Sequence, residues 1–378
     1  MMKRKIILSI AFLTLATLAK TQINDPGGVT GKDENSTNII SIAVPFLTIT
    51  PDARAAGMGD IGVATKPDAN STYWNPSKIV FMKDKMGVSL SFTPWLKSLG
   101  IEDMYIGYLS GYYKFSENQA ITAALTYFTL GSVEFRQTAD DPSFDFTPNE
   151  MALNVGYSLK LSDHFSGAVG FKYINSNLTG EYSEGAKAGQ AVGADISIYY
   201  QNTTRLANDD YNYALGLNIS NIGSKISYSD ANRKTFLPCN MRFGGSIGKK
   251  FDEFNELSIG LDFNKLLVPT PREDHSEKDL SVISGIFNSF YEAPGGFSEK
   301  MNEITISPGL EYTYNNLFSL RGGYFYESKT KGNRNYVTVG GGLSYNILTV
   351  DVAYLISTTG NNNPLANTVR FSLSFRFK

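Results

Sequence analysis

From Met86 to the end of the chain, apolar residues recur at every second position. The clearest case is the last run, where Val369, Phe371, Leu373, Phe375 and Phe377 alternate with Thr368, Arg370, Ser372, Ser374 and Arg376. Successive side chains of a strand point to opposite faces, so each such run puts its apolar groups on one side. Val88-Leu90-Phe92, Ile121 to Tyr127, Leu153 to Leu159, Val192 to Tyr200, Leu257 to Phe263 and Val350 to Ile356 repeat the pattern, and Tyr105 to Phe115 is aromatic on both faces. In all, fourteen strands are expected. No apolar run beyond the first 20 residues is long enough to span a bilayer as a helix. Only 19% of residues are charged, against about a quarter in soluble proteins. Dispersed apolar residues, scarce charge and an outward aromatic at the last strand predict an all-β chain, a transmembrane antiparallel barrel of the outer membrane.

Two tests support that count. With both termini on the inner side, the outer loops are 94–103, 131–149, 175–188, 224–239, 267–303, 328–335 and 358–367. The inner turns are 115–119, 161–164, 201–211, 249–255, 315–317 and 346–348, and only 201–211 rivals the shorter outer loops. Short inner turns and long outer loops are the barrel rule. Second, Lys172, Asp195, Arg242, Asp262, Glu311, Arg321, Asp351, Arg370 and Arg376 all fall opposite the apolar face of their strands. A charge facing lipid at the midplane costs about 2–4 kcal/mol, so this face is expected to line the lumen. These charges make either an ion-paired conduit or a network that fills the barrel.

The start of the chain reads as an address. Lys3, Arg4 and Lys5 precede an apolar run from Ile6 to Ala19, and small and polar residues follow. That is the layout of a secretory signal peptide over residues 1–21, the alternative being a membrane anchor for which the run is short. Residues 22–38 are rich in Gly, Asp, Asn and Thr and read as a flexible lead-in. With one cysteine, Cys239, no disulfide framework forms, and Cys239, His164 and His275 do not make the usual zinc set. A net charge of −2 offers no footprint for nucleic acid. Neither histidine sits in a serine motif, so no catalytic residue, metal or cofactor is expected.

Residues 39–85 differ from the wall at 86–378. Pro51 and Asp52 suit a helix start, an Ala-rich turn carrying Arg54 runs to a cap at Gly57, and a second short element is expected at Asp68 to Ser71. The segment reads as a hatch with short helices inside the barrel, where Asp52, Arg54 and Asp60 meet wall charges; the alternative is a periplasmic extension. PDARAAGMGDIGVAT followed by YWNPSKI, with Asn75-Pro76-Ser77, resembles the hatch of FadL-like outer-membrane proteins. Together with LGLNISNIGSKISY at Leu215–Tyr228, it is similar to the PorV (LptO) family of the type IX secretion system, over essentially the whole mature chain. The resemblance implies a non-enzymatic barrel that acts with the translocon barrel SprA (Sov). It also implies binding of the C-terminal signal domain of secreted cargo and delivery to the PorU attachment complex.

The residues offer their own candidates for partner binding. In loop 267–303, Leu280, Ile283, Phe287, Phe290 and Tyr291 fit one face of a short helix, which must fold over the mouth as a lid or meet another protein. A second candidate is the acidic, aromatic stretch at Asp140-Asp141 with Phe144 and Phe146. Three other functions fit an outer-membrane barrel. A FadL-type carrier of hydrophobic small molecules needs a lateral exit, and Pro308 in the tenth expected strand offers a kink. An outer-membrane hydrolase needs a nucleophile and base. An aqueous porin needs an empty lumen.

Overall fold

The computed structural model describes residues 37–95, 103–135, 143–178, 186–206, 209–229, 234–272, 275–359 and 368–378. The expected signal peptide and nearly all of the lead-in lie outside these residues, as do Asp140 and Asp141. The strands are β1 (Met86–Pro94), β2 (Tyr105–Ser116), β3 (Gln119–Thr129), β4 (Val133–Phe135), β5 (Phe144–Phe146), β6 (Asn149–Lys160), β7 (Phe165–Asn177) and β8 (Gly189–Leu206). They continue with β9 (Asp209–Gly223), β10 (Asn240–Lys250), β11 (Asn255–Leu266), β12 (Ile304–Tyr314), β13 (Phe318–Phe325), β14 (Tyr336–Tyr345), β15 (Leu348–Ser357) and β16 (Val369–Phe377). Fourteen of them close into one antiparallel barrel, sealed where β1 pairs with β16 from Met86↔Phe377 to Phe92↔Phe371. β4 and β5 form a separate hairpin on an outer loop.

The period of two has its physical cause in this wall. Along β1, Val88, Leu90 and Phe92 are exposed to what would be lipid, while Ser89, Ser91 and Thr93 are buried inside. Exposed Phe115, Tyr157, Phe254, Tyr314, Phe318 and Tyr345 gather at the short-turn end as an aromatic girdle, with Phe115 on Tyr157 and Phe254 on Tyr314. Asn315, Asn316 and Asn346 take the positive φ that tight turns demand, at 53°, 53° and 54°.

Three local expectations change. Residues 201–211 are not a turn alone: β8 and β9 pair out to Leu206↔Asp209. Gln201 to Thr204 lack apolar alternation because this hairpin protrudes past the apolar band, where backbone bonding continues without lipid contact. The second hatch element begins at Ser71, not Asp68, and its four residues are followed by a 3-10 turn, Pro76–Phe81. Gly57 does cap the first helix, but in right-handed geometry (φ −66°). Its small size matters instead, because a Cβ there would lie 3.1 Å from Gly340 Cα.

Residues 37–85 run down the inside of the wall. The Asn38 amide nitrogen donates to Thr330 O and Ala43 N to Phe236 O, both on the long-loop end. Phe46 stacks on Phe128. Helix α1 (Ala53–Ala56) is tied by Ala53 N to Ser372 Oγ at 2.8 Å. Below it come α2 (Ser71–Trp74) and the 3-10 turn. Met82 O accepts from Lys114 Nζ near the short turn at Ser116. The chain thus descends from the outer to the inner end before β1 begins.

Candidate functional site

The hatch is held both by apolar clusters with the wall, such as Ala53 and Ala56 against Phe325 and Leu355, and by polar ties. Asn75 is fully buried, and its Nδ2 donates to Val63 O and Ile198 O, each at 3.0 Å. Asn75 Oδ1 accepts from Ser77 N, Pro76 O from Ser158 Oγ (2.8 Å), and Ser77 O from Ser166 Oγ (2.6 Å). The Asn-Pro-Ser stretch therefore pins hatch to β6, β7 and β8, satisfying backbone groups that would otherwise be buried alone. A Cβ on Gly323 would meet Gly59 N at 2.2 Å, so the Met58-Gly59 main chain lies directly on the wall. The ladder beside it is broken. β12 and β13 pair only from Gly309↔Gly323 to Tyr314↔Phe318, then meet again at Ile306↔Tyr326, because Pro308 has no N–H to give.

All nine wall charges point inward. Arg54 Nη2 and Nε reach Glu311 at 3.0 and 3.1 Å, and Arg54 Nη1 reaches Asp68 at 2.7 Å. Glu311 also accepts from Arg321 Nε (2.7 Å), whose Nη1 reaches Asp351 (2.7 Å). Asp60 takes Arg370 Nη1 at 3.3 Å and the Tyr336 hydroxyl at 2.6 Å. Lys172 pairs with Asp195, which sits at a bulge in β8 and accepts from Asn221 N at 2.7 Å. Asp262 accepts the amides of Gly62 and Val63. Arg376 reaches Thr349 Oγ1 at 3.4 Å. Asp52 departs from expectation: it meets no wall charge, because its oxygens cap α1 at Ala55 N and take the Trp74 indole N–H at 2.6 Å. Tyr336 carries no pattern in the sequence that sets it apart from other tyrosines, while Trp74 and Asn221 lie in the YWNPSKI and LGLNISNIGSKISY stretches without local spacing that names their partners.

Between the hatch and the wall lies a cavity of about 730 Å³, lined by Ile39 to Pro51 on the hatch side and by Thr72, Tyr73 and Trp74. Phe46, Trp74, Trp95 and Phe128 give it apolar walls, and Arg242 and Arg370 line it lower down. Arg242 stacks over Trp74, its guanidinium carbon 4.4 Å from the ring centre, and donates Nε to Asn264 Oδ1 at 2.7 Å.

The loop after β11 carries α3 (Val282–Tyr291) and α4 (Gly296–Asn302). Helix α3 turns its small residues to the barrel: Gly285 and Ser289 are buried, and Gly285 lies on Phe236. Ile283, Phe287, Phe290 and Tyr291 face out, Phe287 at 62% exposure, joined by Phe297 at 70% and Met301 at 52%. Leu280 instead packs inward against Ile40, Phe236 and Val268. Phe146, half-buried on β5, belongs to the β4–β5 hairpin, and the side chain of Phe144 lies outside the described residues. A buried cluster clamps this loop. Lys265 Nζ reaches Glu303 at 2.7 Å, Lys331 reaches Glu299 at 2.6 Å, and Asn38 Nδ2 reaches Glu299 at 3.0 Å. Burial pushes Lys300 down to about 8. Burial alone would raise Glu303, but Lys265 and Lys300 outweigh it and hold its carboxyl below the usual range. Nearby, burial pushes the Cys239 thiol up to about 12, which leaves it unreactive.

A closed fourteen-strand wall with a hatch packed in its lumen makes this an outer-membrane barrel of the FadL-like kind. Among solved structures it is similar to a TodX deltaS2S3 mutant monoaromatic hydrocarbon channel (13% identity, 85% of this chain and 96% of that one, TM-score 0.50). It is also similar to the Ralstonia pickettii toluene transporter TbuX (11%, 86% and 98%, 0.45) and a Pseudomonas aeruginosa FadL homologue (10%, 90% and 100%, 0.44). No curated protein matches. The family model described as type IX secretion system protein PorV matches residues 32–273, more than half of the 378 residues. The chain belongs to that family and is an outer-membrane component of the type IX secretion system, associating with other components of it.

Proposed function

We propose that the barrel is a non-enzymatic receiver that takes the C-terminal signal domain of secreted cargo at its outer face. It does so beside the translocon barrel SprA (Sov) and passes cargo to the PorU attachment complex. The observation that carries this reading is α3, whose aromatic face points away from the barrel while its small residues face inward. A helix that buries glycine and serine and exposes two phenylalanines and a tyrosine has its large apolar face free for a partner. The inward lid is the less economical reading of this helix, since only Leu280 of the five expected residues packs inward.

The test is the double variant Phe287→Asp with Phe290→Asp. The barrel should assemble as before, while co-purification of the translocon and cargo in mild detergent is lost. Undiminished co-purification overturns this docking face.

A second reading, a carrier of hydrophobic small molecules, is favoured by the cavity and by the interrupted β12–β13 ladder at Pro308. Recovery of a stoichiometric apolar molecule from the purified barrel, with no cargo, would support it.

A further inference from the structure

Helix α4 is inside out. Phe297 and Met301 lie on its solvent face, while Glu299, Lys300 and, just past its end, Glu303 are buried beneath it. A helix free in water would turn the other way, so the charges need a partner that keeps them in. They have one in a clasp that ends on the hatch. Glu299 accepts from Asn38 Nδ2 at 3.0 Å and from Lys331 Nζ at 2.6 Å. Lys331 Nζ also donates to Asn38 O at 2.9 Å, and Asn38 N donates to Thr330 O. Glu303 takes Lys265, Lys300 and the Thr270 hydroxyl. The outer end of the hatch is thus tied to the underside of α4, 261 residues away in sequence.

The hatch just past the clasp is under constraint. Val44 is buried with φ 47° and ψ 53°, a left-handed conformation that a β-branched residue keeps only when its surroundings impose it. The stretch that carries it is pinned at both ends, at Asn38 and at Ala53 on Ser372, with Ala43 N on Phe236 O between them. Residues 45–51 line the cavity, so this strap has open space on one side. It can relax there once its outer end is let go.

We propose that α4 couples the outer docking face to the hatch: a signal domain of cargo seated on Phe297 and Met301 holds the clasp closed and the strained strap of residues 38–50 in place. The proposal rests on the docking face argued above and extends it from α3 to α4, which pack on each other. The coupling follows from differential binding. When the clasp opens, α4 is free to turn its apolar side inward, and the face that it shares with α3 is lost. A partner that needs that face binds the closed form better, and by linkage it stabilises the closed form by the same factor. Loss of the partner lets the strap relax into the cavity.

The test is hydrogen exchange in the full barrel. Asn38→Ala with Lys331→Met cuts both side-chain links between α4 and the hatch and, among the described residues of the cluster, leaves two glutamates with two lysines. In the isolated barrel in detergent, the bonded amides of Ala43, Leu47 and Ile49 should then exchange at least about tenfold faster than in wild type, the loss expected for hydrogen bonds to a charged group. Exchange at residues 53–62 and mobility on unheated gels should not change. The same amides are next measured in the assembly captured with the tagged barrel in mild detergent. Docking should slow them at least about tenfold in wild type, the linkage factor at roughly ten times Kd, and should not slow them in the double variant. Absence of slowing in wild type overturns the coupling. Slowing that survives in the double variant is coverage by the partner and overturns it too. The docking face is read separately: if Phe287→Asp with Phe290→Asp captures the assembly undiminished, or if nothing is captured, that reading fails and the coupling falls with it.

Discussion

Replacing Arg54 with leucine should free the hatch without harming the wall. Arg54 is the hatch residue that joins the Glu311–Arg321–Asp351 chain of wall charges, with two bonds to Glu311 and one to Asp68. The Asp68 side chain is 28% exposed, so solvent screens that bond and it adds little. The pair with Glu311 is buried at 13% and 7%, and breaking a buried pair costs about 3–5 kcal/mol. Glu311 keeps Arg321 at 2.7 Å, which places the loss near the lower limit, about 3 kcal/mol. At 1.36 kcal/mol per decade, hatch opening should rise by about two decades. Hydrogen exchange in nanodiscs reads this directly, because amides of residues 53–62 exchange through hatch opening while wall amides exchange through barrel unfolding. The expected result is faster exchange in that stretch and none in β14 to β16. Adding Glu311→Leu should recover part of the loss, since Arg321 retains Asp351. Unchanged hatch exchange in Arg54→Leu, or an equal rise in the wall, refutes the reasoning.

Two further outcomes follow from contacts already described. Gly323→Val puts a Cβ 2.2 Å from Gly59 N, and main chain cannot yield there, so the wall should assemble while conductance through the barrel rises in planar bilayers; wild-type conductance would contradict the contact. For Glu303, the folded pKa lies below the ordinary 4.5, so at pH values beneath 4.5 the unfolded chain binds the extra proton. Its contribution to the loop clamp is complete above 4.5 and is lost as pH falls through and below that value. A spin label at Ser298→Cys should keep constant mobility from neutral pH down to about 4.5 and loosen beneath it, whereas loosening at neutral pH would refute the sign.

The wall was legible because lipid imposes one rule on every strand. Val88, Leu90 and Phe92 against Ser89, Ser91 and Thr93 say which face is which, and a charge such as Asp351 or Arg321 has nowhere to go but in. Where lipid is absent the rule is silent. Gln201 to Thr204 look like a turn because no apolar face is required of a hairpin standing in water. The hatch has the same difficulty in stronger form. Its partners are hundreds of residues away, as with Asp60 and Arg370 or Ala53 and Ser372, and no local spacing encodes them. The cavity depends on what the hatch leaves unfilled, which is a property of assembled volume rather than of any motif. Helix α3 was visible as an apolar face, but which way that face turns depended on Gly285 fitting Phe236.

The route of residues 37–85 also bears on how the molecule is put together. They lie inside a cylinder whose seam, β1 against β16, joins the two ends of the wall. Sealing that seam first would require the chain to be threaded the length of a closed tube, past side chains from every strand, and knotted or threaded routes are nearly absent from proteins. The workable order is the reverse: the hatch lies down on an open, curved sheet, and the last pairing wraps the wall around it. On that view the hatch is a mandrel as well as a stopper. Arg54, Asp60 and the Asn75-Pro76-Ser77 ties set the curvature at which Met86 can find Phe377, and a chain shorn of them would have to find its own circumference.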